Sequence, residues 1–247
     1  MKNENLWTET KYEWHKGALR GSRNREHLAR SSRISADAAA EYIQGQVDII
    51  CGDLADLGCG TVPLYEVYKA RADTITCIDW GESKHDLQYA DILCDLNEAI
   101  PIGDESFDTV VLTDVLEHIG NPANLISEIS RMLRPGGTLL ATVPFVYPLH
   151  EQPYDFTRFT RYGLEKILTE TGFSEIQITN IGEPARVVLD IFAKGLDVAP
   201  RPFDQLVYLP VAIAQTLNAT GISNLINTKF GDVMPQAYGV QAVKTRR

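Results

Sequence analysis

From Asp53 onward the chain alternates short apolar runs with stretches of helical period, the pattern of βαβ units and a parallel sheet. The apolar runs predict strands at Leu54 to Leu57, Thr74 to Ile78, Ile92 to Cys94 (the weakest), Thr109 to Leu112, Thr138 to Val143 and Glu175 to Thr179. Helices fall between them. From Pro122 to Leu133, Asn121 supplies the cap and Pro122 the first position, while Leu125, Ile126, Ile129 and Leu133 share one face and Pro135-Gly136-Gly137 marks the end. A second helix runs from Thr160 to Thr171 with Thr160 as cap, Leu164, Ile167 and Leu168 inward and Gly172 as stop. Tyr238 to Val243 offers a final short strand.

The two remaining stretches are less regular. The first fifty residues are a polar lead in which Arg20, Arg23, Arg25, Arg30 and Arg33 face only Glu26, followed by a helix around Ser35 to Gln46 with Ser35 as cap. The arginines read either as a solvated arm or as a flap that meets a carboxylate or phosphate on a ligand. Between Pro184 and Asp232 lies an insert whose apolar run, Leu206 to Leu217, is interrupted by Pro210. That run is too short to span a bilayer and reads as a buried helix or lid, with a membrane-surface contact as the alternative. The expected organisation is therefore residues 1–50 as lead and helix, 51–183 as core, 184–232 as helical insert or lid, and 233–247 as the last strand of the core sheet. The insert's apolar content suits either capping a pocket or pairing subunits into a homodimer.

Composition narrows the class. At 247 residues and 44% hydrophobic content the chain can bury one sizeable core, so one elaborated domain is expected. A formal net charge of -10 argues against nucleic acid as partner, because phosphate neutralisation needs clustered Lys and Arg. The polar start, Met1 to Asn5, has no apolar stretch behind it, which favours a cytoplasmic location. Cys51, Cys59, Cys77 and Cys94 lack any Cys-x-x-Cys pairing and read as small hydrophobes, not as zinc ligands or disulfides.

The chemistry begins at Asp53-Leu54-Ala55-Asp56-Leu57-Gly58-Cys59-Gly60-Thr61, a strand with an acid near its end that runs into two spaced glycines. Glycines there allow a sharp turn and close approach of a ligand to the backbone. A dinucleotide fingerprint would continue to a third glycine, whereas here Thr61-Val62-Pro63 follows, so the turn is not shaped for a diphosphate. The acid before it suits a ligand with a cationic amine. Asp79 closes the next strand at the distance where an acid accepts from ribose hydroxyls, and Trp80 beside it could pack on an adenine face.

Taken in order, Asp56-Leu57-Gly58-Cys59-Gly60-Thr61, Ile78-Asp79, Ser106 to Val111, Val115-Leu116-Glu117-His118 and Leu133-Arg134-Pro135-Gly136-Gly137 resemble the class I S-adenosylmethionine-dependent methyltransferases, in particular the type 11 branch. The resemblance covers roughly Asp53 to Gly182. It implies an α/β Rossmann-like three-layer sandwich with a seven-stranded, mostly parallel sheet whose last strand is antiparallel. It implies S-adenosyl-L-methionine as cofactor, with S-adenosyl-L-homocysteine as product. Asp56, Gly58, Cys59 and Gly60 would surround its methionine part, Asp79 its ribose, and Asp95 with Leu96 its adenine, while Thr113 and Asp114 would line it past the fourth core strand. Val62-Pro63 departs from the family pattern and puts the local turn geometry in question.

Two histidines, His118 and His150, follow predicted strand ends and are the candidate bases for an acceptor hydroxyl. His150 leads, because it lies in an irregular polar and aromatic loop from Pro144 to Phe159. Tyr154, Asp155 and Arg158 of that loop are candidate substrate residues, although Asp155 and Arg158 could equally form a structural ion pair. The run His150-Glu151-Gln152-Pro153-Tyr154-Asp155-Phe156-Thr157-Arg158-Phe159-Thr160 resembles type 11 relatives from bacterial glycan and secondary-metabolite gene sets. That implies a small-molecule acceptor, a hydroxyl of a sugar, a nucleotide-linked sugar or another polar metabolite. No carboxylate and histidine cluster at ligand spacing along the sequence supports a metal. The rival readings are a Rossmann oxidoreductase using NAD(P) and a non-catalytic partner subunit that kept the fold.

Overall fold

A computed structural model of the chain describes residues 1–220 and 234–246; the end of the expected insert, from residue 221, lies outside the described residues. The chain divides into two compact units, Met1–Thr8 with Gln46–Thr179 and Tyr238–Arg247 forming the first, and Glu9–Gly45 with Asn180–Ala237 the second. Among the described residues no helix is long and apolar enough to cross a membrane.

The first unit is built on a seven-stranded sheet. Its strands are β3 (Gly52–Leu57), β4 (Ala72–Asp79), β5 (Ile92–Leu93), β6 (Phe107–Thr113), β7 (Leu133–Pro144), β8 (Phe173–Ile181) and β9 (Ala237–Lys244), in the spatial order β5-β4-β3-β6-β7-β9-β8. β3 pairs in parallel with β4 on one side and β6 on the other, and β6 pairs in parallel with β7. Strand β9 is antiparallel. Its direction shows in three bonds: Thr245 N donates to Gly172 O, Ser174 Oγ to Val243 O and Gln236 N to Ile181 O, so each step up β8 is a step down β9. The chain winds outward from β3 through β4 to β5, then returns across β3 to form β6. The gap between the carboxyl ends of β3 and β6 is thus the point where winding reverses, the place open α/β sheets offer to ligands.

Helices α2 (Tyr65–Tyr68), α3 (Pro122–Met132) and α4 (Arg161–Glu170) complete this unit. The side chain of Asn121 accepts from Asn124 N with Pro122 in the first turn, and Thr160 Oγ1 accepts from Gly163 N, as the caps predict. Leu125, Ile126, Ile129 and Met132 of α3 enter one core cluster with Leu164 and Leu168 of α4 and the inward residues of the strands. The expected role of Pro135-Gly136-Gly137 as a terminator needs correction. Strand β7 starts at Leu133, opposite Phe107, and the register resumes at Thr138 opposite Thr109, so the tripeptide is absorbed as a bulge with Gly136 at φ 84°.

The second unit contains most of what the sequence showed as a polar, basic lead and a helix. β1 (Tyr12–His15) and β2 (Ala18–Gly21) form a hairpin whose turn, Lys16-Gly17, has positive φ at both residues, the requirement of the turns that match strand twist. Helix α1 (Arg33–Gly45) begins before the expected cap: Ser35 lies inside it and donates to Ser32 O. The arginines meet more than Glu26. Glu13 receives Arg20 at 2.7 Å and Asp37 receives Arg23 at 2.9 Å. The insert forms α5 (Pro184–Asp197) and α6 (Tyr208–Thr220), with Pro210 in the first turn of α6, where a proline costs no helical bond. Val211 and Ala214 of α6 pack with Val207, Ala193 and Ile34.

Ile129 is fully buried at the centre of the α3 contact with the sheet. Ile129→Ala is expected to lower unfolding free energy by about 2–5 kcal/mol, read as a reduced urea midpoint at unchanged slope.

Candidate active site

The turn after β3 is fixed by the strand beside it. Gly58 N and Cys59 N both donate to Ile78 O, at 2.8 and 3.2 Å, and Gly60 N donates to Asp79 Oδ2 at 2.6 Å. Asp79 Oδ1 accepts from Trp80 N at 2.7 Å. Three successive amides of the turn are therefore held by the end of β4. Gly58 and Gly60 have φ of 67° and 51°, where only glycine is relaxed. A Cβ on Gly58 would sit 2.4 Å from Val115 just beyond β6, whereas one on Gly60 would meet only the His85 ring at 3.6 Å.

Val62 also has positive φ, at 52°, and only four residues of helix follow, so the departure at Val62-Pro63 lengthens the turn and delays the helix. Among the described residues no helix N-terminus opens directly onto the glycines. Asp56, wholly buried, accepts from Tyr68 Oη at 2.7 Å. Burial raises its carboxyl pKa to about 7, with the charge of Asp79 adding to the rise and the Tyr68 hydroxyl opposing it. Cys59 is buried beside the same turn.

The other expected cofactor residues lie along the strand ends. Asp95, after β5, accepts from Asn97 N at 2.9 Å, while the Leu96 side chain belongs to the core. Thr113 ends β6, and Asp114, at φ 54°, accepts from Thr142 Oγ1 at 2.9 Å. Trp80 meets Tyr154 of the long loop edge-on, ring centroids 5.3 Å apart.

A second constellation follows Asp114. A short 3-10 turn, Leu116–His118, carries Glu117, whose side chain has no exposed surface and whose two carboxylate oxygens have no hydrogen-bond partner among the described residues. His118 Nε2 stands 3.6 Å and His150 Nε2 3.5 Å from Glu117 Oε1, and the two imidazole rings meet edge-on at 4.7 Å. The outer nitrogens face loop groups. Tyr154 O lies 2.9 Å from His118 Nδ1, and Asp155 Oδ2 lies 3.3 Å from His150 Nδ1. The loop itself is moored by Phe156 N and Thr157 N, which both donate to Glu117 O.

Asp155 is the structural pivot of that loop. Its carboxylate accepts from Arg158 Nη2 at 2.7 Å and from His150 N at 3.0 Å, and the Arg158 guanidinium holds it well below the usual carboxylate range. Burial drives the Glu117 carboxyl upward against the pull of both histidines. Burial alone would lower His150, but Glu117 and Asp155 outweigh it and raise the imidazole's pKa. Sequence spacing gave no hint of Glu117 as a partner, because the residues meet only when the β6 and β7 connections fold together. Spacing along the sequence offered no carboxylate and histidine cluster; in the fold, Glu117, His118 and His150 each bring one ligand atom within 4.8 Å of the other two.

Residues 55–141 match the family model for a methyltransferase domain. A ubiquinone biosynthesis O-methyltransferase from Pseudomonas entomophila is 31% identical over 149 residues, which are 49% of this chain and 63% of that protein. The chain thus spans under two thirds of the length of that relative. The [4+2]-cyclase SpnF superposes with a TM-score of 0.57 at 21% identity, covering 86% of this chain and 84% of its own. An S-adenosylmethionine-dependent methyltransferase from Mesorhizobium loti superposes with a TM-score of 0.55 at 14% identity, covering 85% of this chain and all of its own. Both likenesses carry the fold alone, as the cyclase among them illustrates.

Gly58→Ala is expected to cost about 1–3 kcal/mol more than Gly60→Ala in urea unfolding, since only the first drives a Cβ into Val115. A second expectation concerns pH. Because the folded pKa of Asp56 is raised, its contribution to stability is complete below the unfolded pKa of 3.8 and is lost as pH rises through about 7. Asp56→Asn should therefore gain thermal stability relative to the parent between pH 5 and pH 8, and equal melting shifts at both would contradict this.

Proposed function

We propose that the chain is an S-adenosylmethionine-dependent methyltransferase that transfers a methyl group to a hydroxyl of a small polar metabolite or sugar, in glycan or secondary-metabolite biosynthesis. The observation that carries the donor is the state of the glycine turn. A diphosphate needs free amides or a helix N-terminus, and here Ile78 O and Asp79 occupy the amides of Gly58, Cys59 and Gly60. What the turn offers instead is carboxylate. Asp79 accepts one amide on each oxygen and retains lone pairs for ribose hydroxyls. Asp56, buried without a cation beside it, suits an amine. Asp95 and Leu96 would hold the adenine, with Trp80 beside them, and Thr113 and Asp114 the remaining edge.

The donor supplies a methyl carbon already activated by its sulfonium, so the protein's task is to align an acceptor with it and manage one proton. His150 and His118 are the residues proposed to act on the acceptor hydroxyl, at the carboxyl ends of β7 and β6. Tyr154, Asp155 and Arg158 shape their surroundings, Asp155 and Arg158 as an ion pair that sets the His150 position. The acidic chain and the polar loop favour a small acceptor over a nucleic acid.

Calorimetric titration with S-adenosylhomocysteine tests the donor, with NAD as control. Micromolar binding is expected, weakened at least tenfold in Asp79→Ala, with no heat from NAD. Binding of NAD in place of S-adenosylhomocysteine would move the chain to the oxidoreductases; binding of neither would leave a non-catalytic role.

A further inference from the structure

We propose that Glu117, His118 and His150 form a binding site for a divalent transition cation of the manganese, cobalt or zinc type, placed where the acceptor hydroxyl would lie. One ligand atom from each residue falls within 4.8 Å of the other two. Both Nε2 atoms converge on the same carboxylate oxygen at 3.5 and 3.6 Å, too far for good hydrogen bonds. The distances suit a shared ion better: two donors bound at about 2.0–2.1 Å in a tetrahedral site stand about 3.3 Å apart.

At His118 the surroundings are those a metal-binding imidazole requires, and at His150 a carboxylate stands close by. Such a ring usually engages its second nitrogen with a carbonyl or carboxylate, which fixes the tautomer and turns the free nitrogen to the ion. His118 Nδ1 has Tyr154 O at 2.9 Å, while His150 Nδ1 lies 3.3 Å from the Arg158-clamped Asp155 carboxylate without forming a hydrogen bond among the described residues, a contact that the small ring rotation on ion binding would close. Glu117 is the decisive member. A carboxylate with no exposed side-chain surface and, among the described residues, no hydrogen bond on either oxygen is costly to keep, and buried charges of this kind are paired or coordinate metals.

Two imidazoles favour a transition cation over magnesium or calcium, which prefer all-oxygen shells. Three protein ligands leave a position for an oxygen from solvent or substrate. On the methyltransferase reading, on which this step rests, that oxygen is the acceptor hydroxyl. The cation lowers its pKa, and the proton passes to water. His118 and His150 then act on the acceptor through the cation and not as free bases.

The test uses tag-free protein treated with EDTA, titrated calorimetrically with MnCl2 and followed by visible absorption with CoCl2. One saturable equivalent per chain is expected, with cobalt d–d bands, lost in Glu117→Gln and His150→Ala variants that retain the parent circular dichroism. Asp155→Asn, which keeps all three ligands, should weaken binding by about 10- to 100-fold. Absence of saturable binding, binding unchanged in Glu117→Gln, or MgCl2 binding as tightly as MnCl2 would overturn the proposal. S-adenosylhomocysteine titrated into the same samples separates the two readings. Its binding without cation binding removes the metal site and leaves the transferase; cation binding without it does the reverse.

Discussion

The first core unit depends on how one carbonyl and one carboxylate at the end of β4 restrain the turn after β3. Ile78 O receives two amides and Asp79 receives the third, so the backbone is committed before any ligand arrives. Gly58 can then lie against Val115 with no room for a methyl group between them. That contact joins the ends of β3 and β6 and sets where Asp114 and Glu117 begin. A turn held this way cannot also wrap phosphate, which turns the specificity of the crevice from anions toward groups that carboxylates recognise.

The second constellation arises because two connections share their supports. Glu117 uses its backbone carbonyl to hold the loop beyond β7, and that loop returns His150 and the Tyr154 carbonyl to the vicinity of the Glu117 side chain. Asp155 and Arg158 make the return rigid. The loop is thus irregular in period but fully specified by polar contacts, each of which is short-range in space.

The strands and helices of the core were legible because their signals are local. The alternation from Asp53, the caps at Asn121 and Thr160 and the glycines before Cys59 and Thr61 act within a few residues of where they are read. The hairpin at Lys16-Gly17 was missed because each strand is four residues long and the surrounding arginines masked its alternation; a lone glycine after a lysine was the available cue. Pro135-Gly136-Gly137 misled because a bulge and a helix stop ask for the same residues. His150 and His118 were legible as chemistry, but Glu117 was not, since its burial and its approach to His150 are properties of tertiary packing.

The double mooring of the long loop at the Glu117 carbonyl bears on which substitutions the loop tolerates. Phe156 N and Thr157 N fix its return by backbone atoms, which every residue except proline provides, so side chains other than His150, Asp155 and Arg158 carry little of the loop's shape. Leu149 and Tyr154, exposed between β7 and that mooring, are positions where substitution would alter the loop's outer face most and its backbone anchoring least. Substitution there would leave the backbone mooring and the polar groups beneath it in place.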